Sequence, residues 1–526
     1  MKHIVSIFGL LAILLHLTTA CVEDPQPTFE ELEQRSLKAW IEKYHPELLE
    51  NYQEEGGYYV EVLDEGVRDS LPVTGKDVWL WCDFTGRDLR GNVCETRDWT
   101  TAYQQGTFTL HTHYTPIYRF SGKESFTHLE GTYLATYNEL NIGGEKLSVR
   151  YGTKLRLYLP SSIISADTGV EADGGYEGQF KLDGNKPMIV DMTIYGHVDN
   201  PVAYEGNRID SFAALNGGLC TEHRTIIDRE ETDAKSSAAR LRRTTRGDAE
   251  GDAEGDAEGE GSDTRPLEFF DGRWHQPVDT LAHLYVNYAY SPARTTLNFN
   301  TIAADTMMYP GEALYDRGTL YGSQTMADID RRINEALVER FGEGITYDEV
   351  LTADSLNAKA TANVWYIGRF LDGYVFDTNI DEVKEIVFGG VEASGSALSF
   401  NTADPEDNDY ILAWNYSLPT LRRGQWATIL TVSTYGYGIA GQVGSHTATS
   451  DGDQAYYDYL NYMNYMNYMN NYYGNGYGGM YNGGYYGYNP YYYGYPAPST
   501  EEESVVITSS EVGAYTPLLF QVFVAK

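Results

Sequence analysis

The chain has 526 residues, with 76 acidic against 38 basic side chains and a formal net charge of −38. Such an acidic balance excludes a nucleic-acid partner gripped through its phosphates, which needs a basic surface. Otherwise the charge bears on solubility more than on fold. A 42% hydrophobic share supplies material for packed domains, and 45 tyrosines with 53 glycines leave room for low-complexity stretches.

Residues 1–20 carry Lys2 and His3, an apolar run from Ile4 to Leu17, and the small residues Thr18-Thr19-Ala20 before Cys21. The run is too short to span a bilayer and predicts a cleaved secretory signal. The Leu17–Cys21 junction resembles a bacterial lipobox, which implies that Cys21 becomes a lipid-modified N-terminus. An ordinary signal peptide with an incidental cysteine is the other reading. Val22-Glu23-Asp24 resembles the export signal of surface lipoproteins in Bacteroidota. Together these imply an outer-membrane lipoprotein, attached through the lipid on Cys21, on the periplasmic side or at the cell surface. No other segment is long and apolar enough to cross a membrane. Three further cysteines, Cys82, Cys94 and Cys220, permit one disulfide in an exported protein. Without a C-x-x-C spacing, and with the histidines scattered, no metal site and no cofactor are expected.

Thr28-Phe29-Glu30-Glu31 forms a capping-box pattern. Leu32, Leu37, Trp40, Ile41 and Tyr44 come next at near-helical spacing, so residues 28–50 predict an amphipathic helix within an anchored segment 21–55. Residues 56–198 are strand-rich, at Tyr58–Leu63, Val78–Phe84, Leu155–Leu159 and Met188–Ile194. Residues 199–265 read as a linker. Its clearest part, 223–265, sets Arg240, Arg242, Arg243 and Arg246 beside a G-D-A-E repeat from Gly247 to Glu258. That segment has almost nothing to bury and predicts disorder; its basic cluster is either a protease-sensitive site or part of a solvated tether. Residues 266–355 predict an extension. It holds a strand at Leu284–Tyr290 and a helix capped by Thr325, with Met326, Ile329, Ile333, Leu337 and Phe341 on one face and Gly342 as its stop.

Three segments of residues 356–526 belong together. Val364–Asn379 reads as a hairpin turning at Leu371-Asp372-Gly373. Tyr410–Gly438 reads as a helical turn around Trp414, then Gly424 and a strand Trp426–Val432; Tyr515–Ala525 reads as a strand opened by Pro517. In this order they resemble the FKBP-type peptidyl-prolyl isomerases, with their Y-x-G-x-L-x-D-G-x-x-F-D-S/T hairpin, V-I-x-G-W turn, Y-A-Y-G strand end and closing L-x-F-x-V strand. The resemblance implies an aromatic cup with Trp414 as floor and Tyr366, Phe376, Ile411, Tyr437 and Phe520 as walls. It assigns the Tyr437 hydroxyl and the Ile411 N–H as donors to substrate carbonyls. Asp377 is placed at the rim, bonded to Tyr366. Tyr410 stands where the family has Val or Ile, and its bulk would narrow the cup; Ala413 replaces a usual Gly. Aromatic residues at alternating strand positions are also what an ordinary core would hold.

Residues 453–499 interrupt the loop after Tyr437 with 17 of the 45 tyrosines. They predict a mobile loop, serving either recognition or nothing.

Val78–Asp98 and Gly152–Ser162 repeat the hairpin and the strand after the glycine turn, which implies a second, degenerate copy of the domain. There Phe84 replaces Tyr366, and Cys94 and Glu95 replace Phe376 and Asp377. No Trp forms the floor, and no Y-G-Y-G comes after Pro160. A Cys82–Cys94 bridge across this hairpin is a further expectation. The fold class is therefore α+β: two FKBP-like domains, each a curved antiparallel sheet packed on a short helix, joined by a disordered linker. The function implied is prolyl isomerisation on proline-containing clients in the exported compartment. The rivals are a non-catalytic binding protein and a structural surface lipoprotein working through its Tyr-rich loop.

Overall fold

The computed structural model describes residues 27–67, 79–120, 134–163, 186–220, 269–299, 326–350, 353, 356, 361–390, 394–402, 408–438, 441–442, 446–447, 506–507 and 510–526, apart from 107, 109, 199 and 279. The signal and lipidation residues 1–21, the linker core 223–265, the cap Thr325 and the Tyr-rich stretch 453–499 lie outside them.

The Thr28 hydroxyl accepts the Glu31 N–H at 3.2 Å and starts a helix over Phe29–Tyr44. The chain then turns at Pro46 into a short 3-10 helix, so the α-helix stops before the expected residue 50. Leu37 and Ile41 bury its inner face against Tyr59, Tyr158 and Ile189.

The first sheet contains β1 (Tyr52–Gln53), β2 (Tyr58–Asp64), β3 (Trp79–Asp88), β4 (Val93–Thr96) and β5 (Ile117–Phe120). A separate hairpin of β6 (Leu140–Ile142) and β7 (Glu145–Leu147) precedes β8 (Lys154–Leu159) and β9 (Met188–Val198). The sheet order is β1-β2-β8-β9-β3-β4, with β5 beside β3, and every pairing is antiparallel.

The second sheet contains β10 (Leu284–Asn287), β11 (Thr361–Phe370), β12 (Val375–Thr378), β13 (Leu398–Asn401) and β14 (Trp426–Thr431). After a two-residue pairing of β15 (His446–Thr447) with β16 (Val506–Ile507), β17 (Leu518–Val524) completes it. Its order, β10-β14-β17-β11-β12 with β13 beside β11, repeats that of the first sheet. The class is mixed α and β with antiparallel sheets.

Register makes the repetition quantitative. Gly86 faces Glu95 across β3–β4 and Gly368 faces Asp377 across β11–β12, each with a bulge after the glycine. Gly152 N–H donates to Ile194 O and Gly424 N–H to Val524 O, both at 2.7 Å. Both glycines have φ near +80°, as a tight turn into the next strand requires.

Two expectations need correcting. Residues Pro201–Leu215, assigned to a linker, form a helix capped by the Asn200 side chain on Ala203 N–H at 3.1 Å. Ile209, Phe212 and Ala213 on one side of it pack with Trp274, Leu430 and Leu519 on the back of the second sheet. The strand expected at Leu284–Tyr290 covers only Leu284–Asn287, and it pairs with β14 at the edge of the second sheet. The helix Met326–Phe341 has the predicted buried stripe of Met326, Ile329, Ile333 and Leu337, and it packs against a helix at Asp381–Phe388.

The two sheets touch through a loop of the first. The His113 ring stacks against both Phe370 and Tyr374, at 4.5 and 4.6 Å, with Nε2 at 2.7 Å from Asp372 Oδ2. The Tyr374 hydroxyl donates to Leu110 O at 2.6 Å. Trp79 meets Tyr515 edge-on at 4.7 Å.

The Cys82–Cys94 bridge is also corrected. Cys82 is buried and free, opposite Ile117 and Ile194. Position 94 lies across from the bulge after Gly86, about 13 Å along the strand and beyond the roughly 7 Å that a disulfide allows. Non-reducing peptide mapping of the native protein will show no Cys82–Cys94 linkage. Cys82 will react with a thiol reagent only after denaturation; rapid native labelling would contradict the buried placement.

Candidate functional site: an aromatic cup on the second sheet

Phe520 lies on β17 with Val522 and Val524, all buried, between β11 and β14. Alternation along the strand sends these side chains to the front face, where the main core lies, and Leu519 to the back. Tyr366 on β11 and Phe376 with Asp377 on β12 come from the hairpin, whose bulge at Gly368 re-aims the strand end. Trp414 sits on a short helix, Leu412–Ser417. Its preceding residue Ile411 lies at the N-cap, where the Ile411 carbonyl accepts the Trp414 N–H at 3.0 Å. Tyr437 comes after a 3-10 turn, Ser433–Tyr435, at the end of β14.

These rings meet edge to face, the arrangement that aromatic quadrupoles favour. Trp414 meets Tyr366 at 4.9 Å and 72°, and Phe520 at 5.3 Å and 82°. Phe376 meets Phe520 at 5.9 Å and Tyr437 at 6.4 Å. Trp414, Phe376 and Phe520 are buried, whereas Tyr366, Ile411, Tyr437 and Asp377 keep part of their surface exposed. The result is a half-open apolar cup with polar groups on its rim.

The rim is electrostatically defined. The Tyr366 hydroxyl donates to Asp377 Oδ2 at 2.5 Å. Burial pushes the Asp377 carboxyl up to about 6, against the lowering effect of that hydrogen bond. Burial first, and the Asp377 charge second, hold both Tyr366 and Tyr437 above the usual tyrosine value. Both hydroxyls are therefore protonated donors at neutral pH. The indole N–H of Trp414 is buried and finds no acceptor among the described residues.

Tyr410 does not fill the cup. Its ring stacks on Phe400 at 6.2 Å and its hydroxyl donates to Ser399 O at 2.9 Å, which anchors it to β13. It still lies 5.8 Å from Trp414, so it extends the aromatic wall outward. Phe400, missed in the sequence, sits on a short alternating strand whose only signal was its own period. The return segment after the Tyr-rich stretch also joins the site, since Ser510 N–H donates to Phe376 O at 2.6 Å. Among the described residues no His, Cys, Asp and Glu gather to hold a metal ion. The first sheet places Phe84 where the second has Tyr366, and no tryptophan is found among its front-face core residues that the structure describes.

No family model matches the chain, and no curated protein does. Solved structures similar to it include the three FKBP domains of wheat FKBP73, 9% identical over 90% of this chain and 95% of that one, TM-score 0.19. Another is a peptidyl-prolyl cis-trans isomerase from Pseudomonas syringae, 15% identical over 33% of this chain and 98% of that one, TM-score 0.20. FkpA from Escherichia coli is 11% identical over 36% of this chain and 70% of its own, TM-score 0.20. A likeness at these scores carries no inference about what the chain does.

A methyl group at Gly368 would lie 2.5 Å from Phe376 Cζ. Gly368→Ala should therefore displace that ring and destabilise the protein by about 1–3 kcal/mol, read as a lower midpoint in thermal or denaturant unfolding. An unchanged midpoint would show that the wall yields freely.

Asp377 titrates higher when folded than its ordinary value of 3.8. Its contribution to stability is thus full below about pH 4 and is lost as pH rises through about 6. Asp377→Asn should flatten that part of the stability–pH curve by about 1–2 kcal/mol, after discounting for its partly exposed rim position. Identical curves for the two proteins would remove the perturbed carboxyl from the account.

Proposed function

We propose that this cup is a peptidyl-prolyl cis-trans isomerase site of the FKBP type. The observation that carries the reading is the convergence of Tyr366, Phe376, Trp414, Tyr437 and Phe520 from separate elements, with Tyr366 bonded to Asp377 at the rim. An X–Pro amide resists rotation by about 18–20 kcal/mol because of its partial double bond. Twisting it removes the resonance and leaves a less polarised, ketone-like carbonyl beside a pyramidal nitrogen, a form that an apolar cup accommodates better than water does. A catalyst needs only to bind that twisted form better than either planar isomer. An apolar cup over Trp414 takes the proline ring and excludes water from it. The Tyr437 hydroxyl and the Ile411 N–H act as donors to the flanking carbonyls, and the Asp377–Tyr366 pair faces the twisted carbonyl. No nucleophile, metal or proton transfer is required.

In this proposal the two sheets are two FKBP-like domains, the first degenerate. The substrates are proline-containing stretches of exported polypeptides, and the lipobox-like Leu17–Cys21 junction supports attachment of the protein to the outer membrane.

The test is a protease-coupled prolyl-peptide assay on the mature chain. A fragment starting at residue 266 would lack the helix Pro201–Leu215 that packs behind the second sheet. Phe376→Ala and Tyr437→Phe should each lower kcat/KM about tenfold or more, since each removes apolar area or a donor used in the transition state, while circular dichroism shows an intact fold. If the folded wild-type protein accelerates no prolyl peptide yet binds one, the cup is a binding site and the enzyme reading fails.

A further inference from the structure

Two carboxylates on helices remote from the cup perform the same act in the two halves of the chain. Glu205, buried on the helix Pro201–Leu215, accepts the Ser433 N–H at 2.6 Å and the Ser433 hydroxyl at 2.7 Å. Glu33, buried on the helix Phe29–Tyr44, accepts the Ser161 N–H at 2.8 Å and the Ser161 hydroxyl at 2.5 Å. Ser161 and Ser433 hold equivalent places, each opening the 3-10 turn after its sheet's matching strand, β8 or β14.

The two halves diverge beyond the serine. The Ser433 carbonyl accepts the N–H groups of Gly436 and Gly438, both at 2.8 Å. Tyr437 stands between those two glycines. Gly438 O in turn accepts the Tyr515 N–H at 3.1 Å. The peptide carrying Tyr437 is therefore folded back onto Ser433, and Ser433 is pinned by Glu205 from the back of the sheet. Among the aromatic contacts of the cup none involves the helix Pro201–Leu215, whose Ile209, Phe212 and Ala213 pack behind Leu430, Val432 and Leu519.

We propose that Glu205 is a positioning residue for the isomerase site: through Ser433 it fixes the turn that aims the Tyr437 hydroxyl at the substrate carbonyl. This rests on the isomerase reading of the cup. A hydroxyl that must meet a carbonyl in the transition state gains from being held in advance, because a displacement of about 1 Å can cost as much as 10²-fold in rate. Two hydrogen bonds to one buried carboxylate supply that hold, and flanking glycines alone would not. Burial pushes the Glu205 carboxyl up to about 7, so near neutral pH it is partly a neutral acid that both accepts and donates. A glutamine has the same shape and the same pair of functions.

The mature chain is assayed as wild type, Glu205→Ala, Glu205→Gln and Glu33→Ala, with a far-ultraviolet spectrum and melting curve for each. Glu205→Ala should lower kcat about tenfold or more with a smaller change in KM, and Glu205→Gln should restore most of it. Glu33→Ala, which deletes the same two bonds in the half that lacks a counterpart of Tyr437, should leave the rate unchanged at temperatures where the protein is folded. In a Tyr437→Phe background, Glu205→Ala should cost little more, since both remove the same aimed hydroxyl. Full additivity of the two changes, or a wild-type rate in folded Glu205→Ala, overturns the proposal. If Glu205→Ala does not fold, Glu205→Gln still decides: a folded Gln variant that has lost the tyrosine-dependent rate refutes the positioning by shape. A wild-type protein with no isomerase activity refutes the isomerase reading instead, and is seen before any variant is made.

Discussion

The last strand of the chain lies in the middle of its sheet, and the rest of the second half depends on that placement. β17 pairs with β14 on one side and β11 on the other, and all of its residues from Leu518 to Val524 are buried. Until those residues arrive, β11 and β14 are open edges without Phe520 between them. The front core loses its centre and the back face loses Leu519 at the same time. The pairing partners are more than 80 residues apart in sequence, so loop closure must be met before any of the contacts reward it. The second sheet and its cup are therefore complete only when β17 is in place between β11 and β14.

The same strand order serves two ends in one chain. In the first sheet the back-face positions matching Arg369, Thr428 and Gln521 hold Arg87, Arg156 and Asp191. There Arg156 Nε reaches Asp191 Oδ1 at 2.6 Å, and Arg87 also bonds that carboxylate. In the second sheet this face is covered, and Arg369 is buried, paired with Asp330 of the helix Met326–Phe341 at 2.5 Å. A network left half open to solvent stabilises little, whereas a buried arginine needs its partner, and removing that partner would leave an uncompensated charge. Both sheets carry a helix behind them, and the second is covered further by the helix Met326–Phe341, which supplies Asp330.

How much of this was legible in the sequence depends on the range of each interaction. The hairpin residues Tyr366, Gly368, Phe376 and Asp377 stand within one local motif, and the bulge and turn that bring them together are written in adjacent residues. Trp414 and Phe520 were recognisable because each sits beside its own short pattern. The helix Pro201–Leu215 was not recognised, because its apolar stripe is short, interrupted by Gly206 and Asn207, and succeeded by the charged repeat that drew the segment into a linker. Glu205 and Ser433 are 228 residues apart and Glu33 and Ser161 are 128 apart. A buried carboxylate has no local signature, since on a helix it looks like any exposed glutamate until its partner is known. Cys82 and Cys94 show the reverse case, two residues near in sequence that the strand register holds apart.

The pairing of His446 with Ile507 and of Thr447 with Val506 has a consequence for how the chain can change over time. These two rungs form a stem at the base of everything between residues 448 and 505. With the stem closed, the path from Tyr437 to β17 is short whatever the length of the segment beyond it. A change in the number of residues beyond the stem therefore leaves the two paired rungs, and the path they close, in place. The stem acts as a bulkhead between the residues beyond it and the turn that carries Tyr437 to β17.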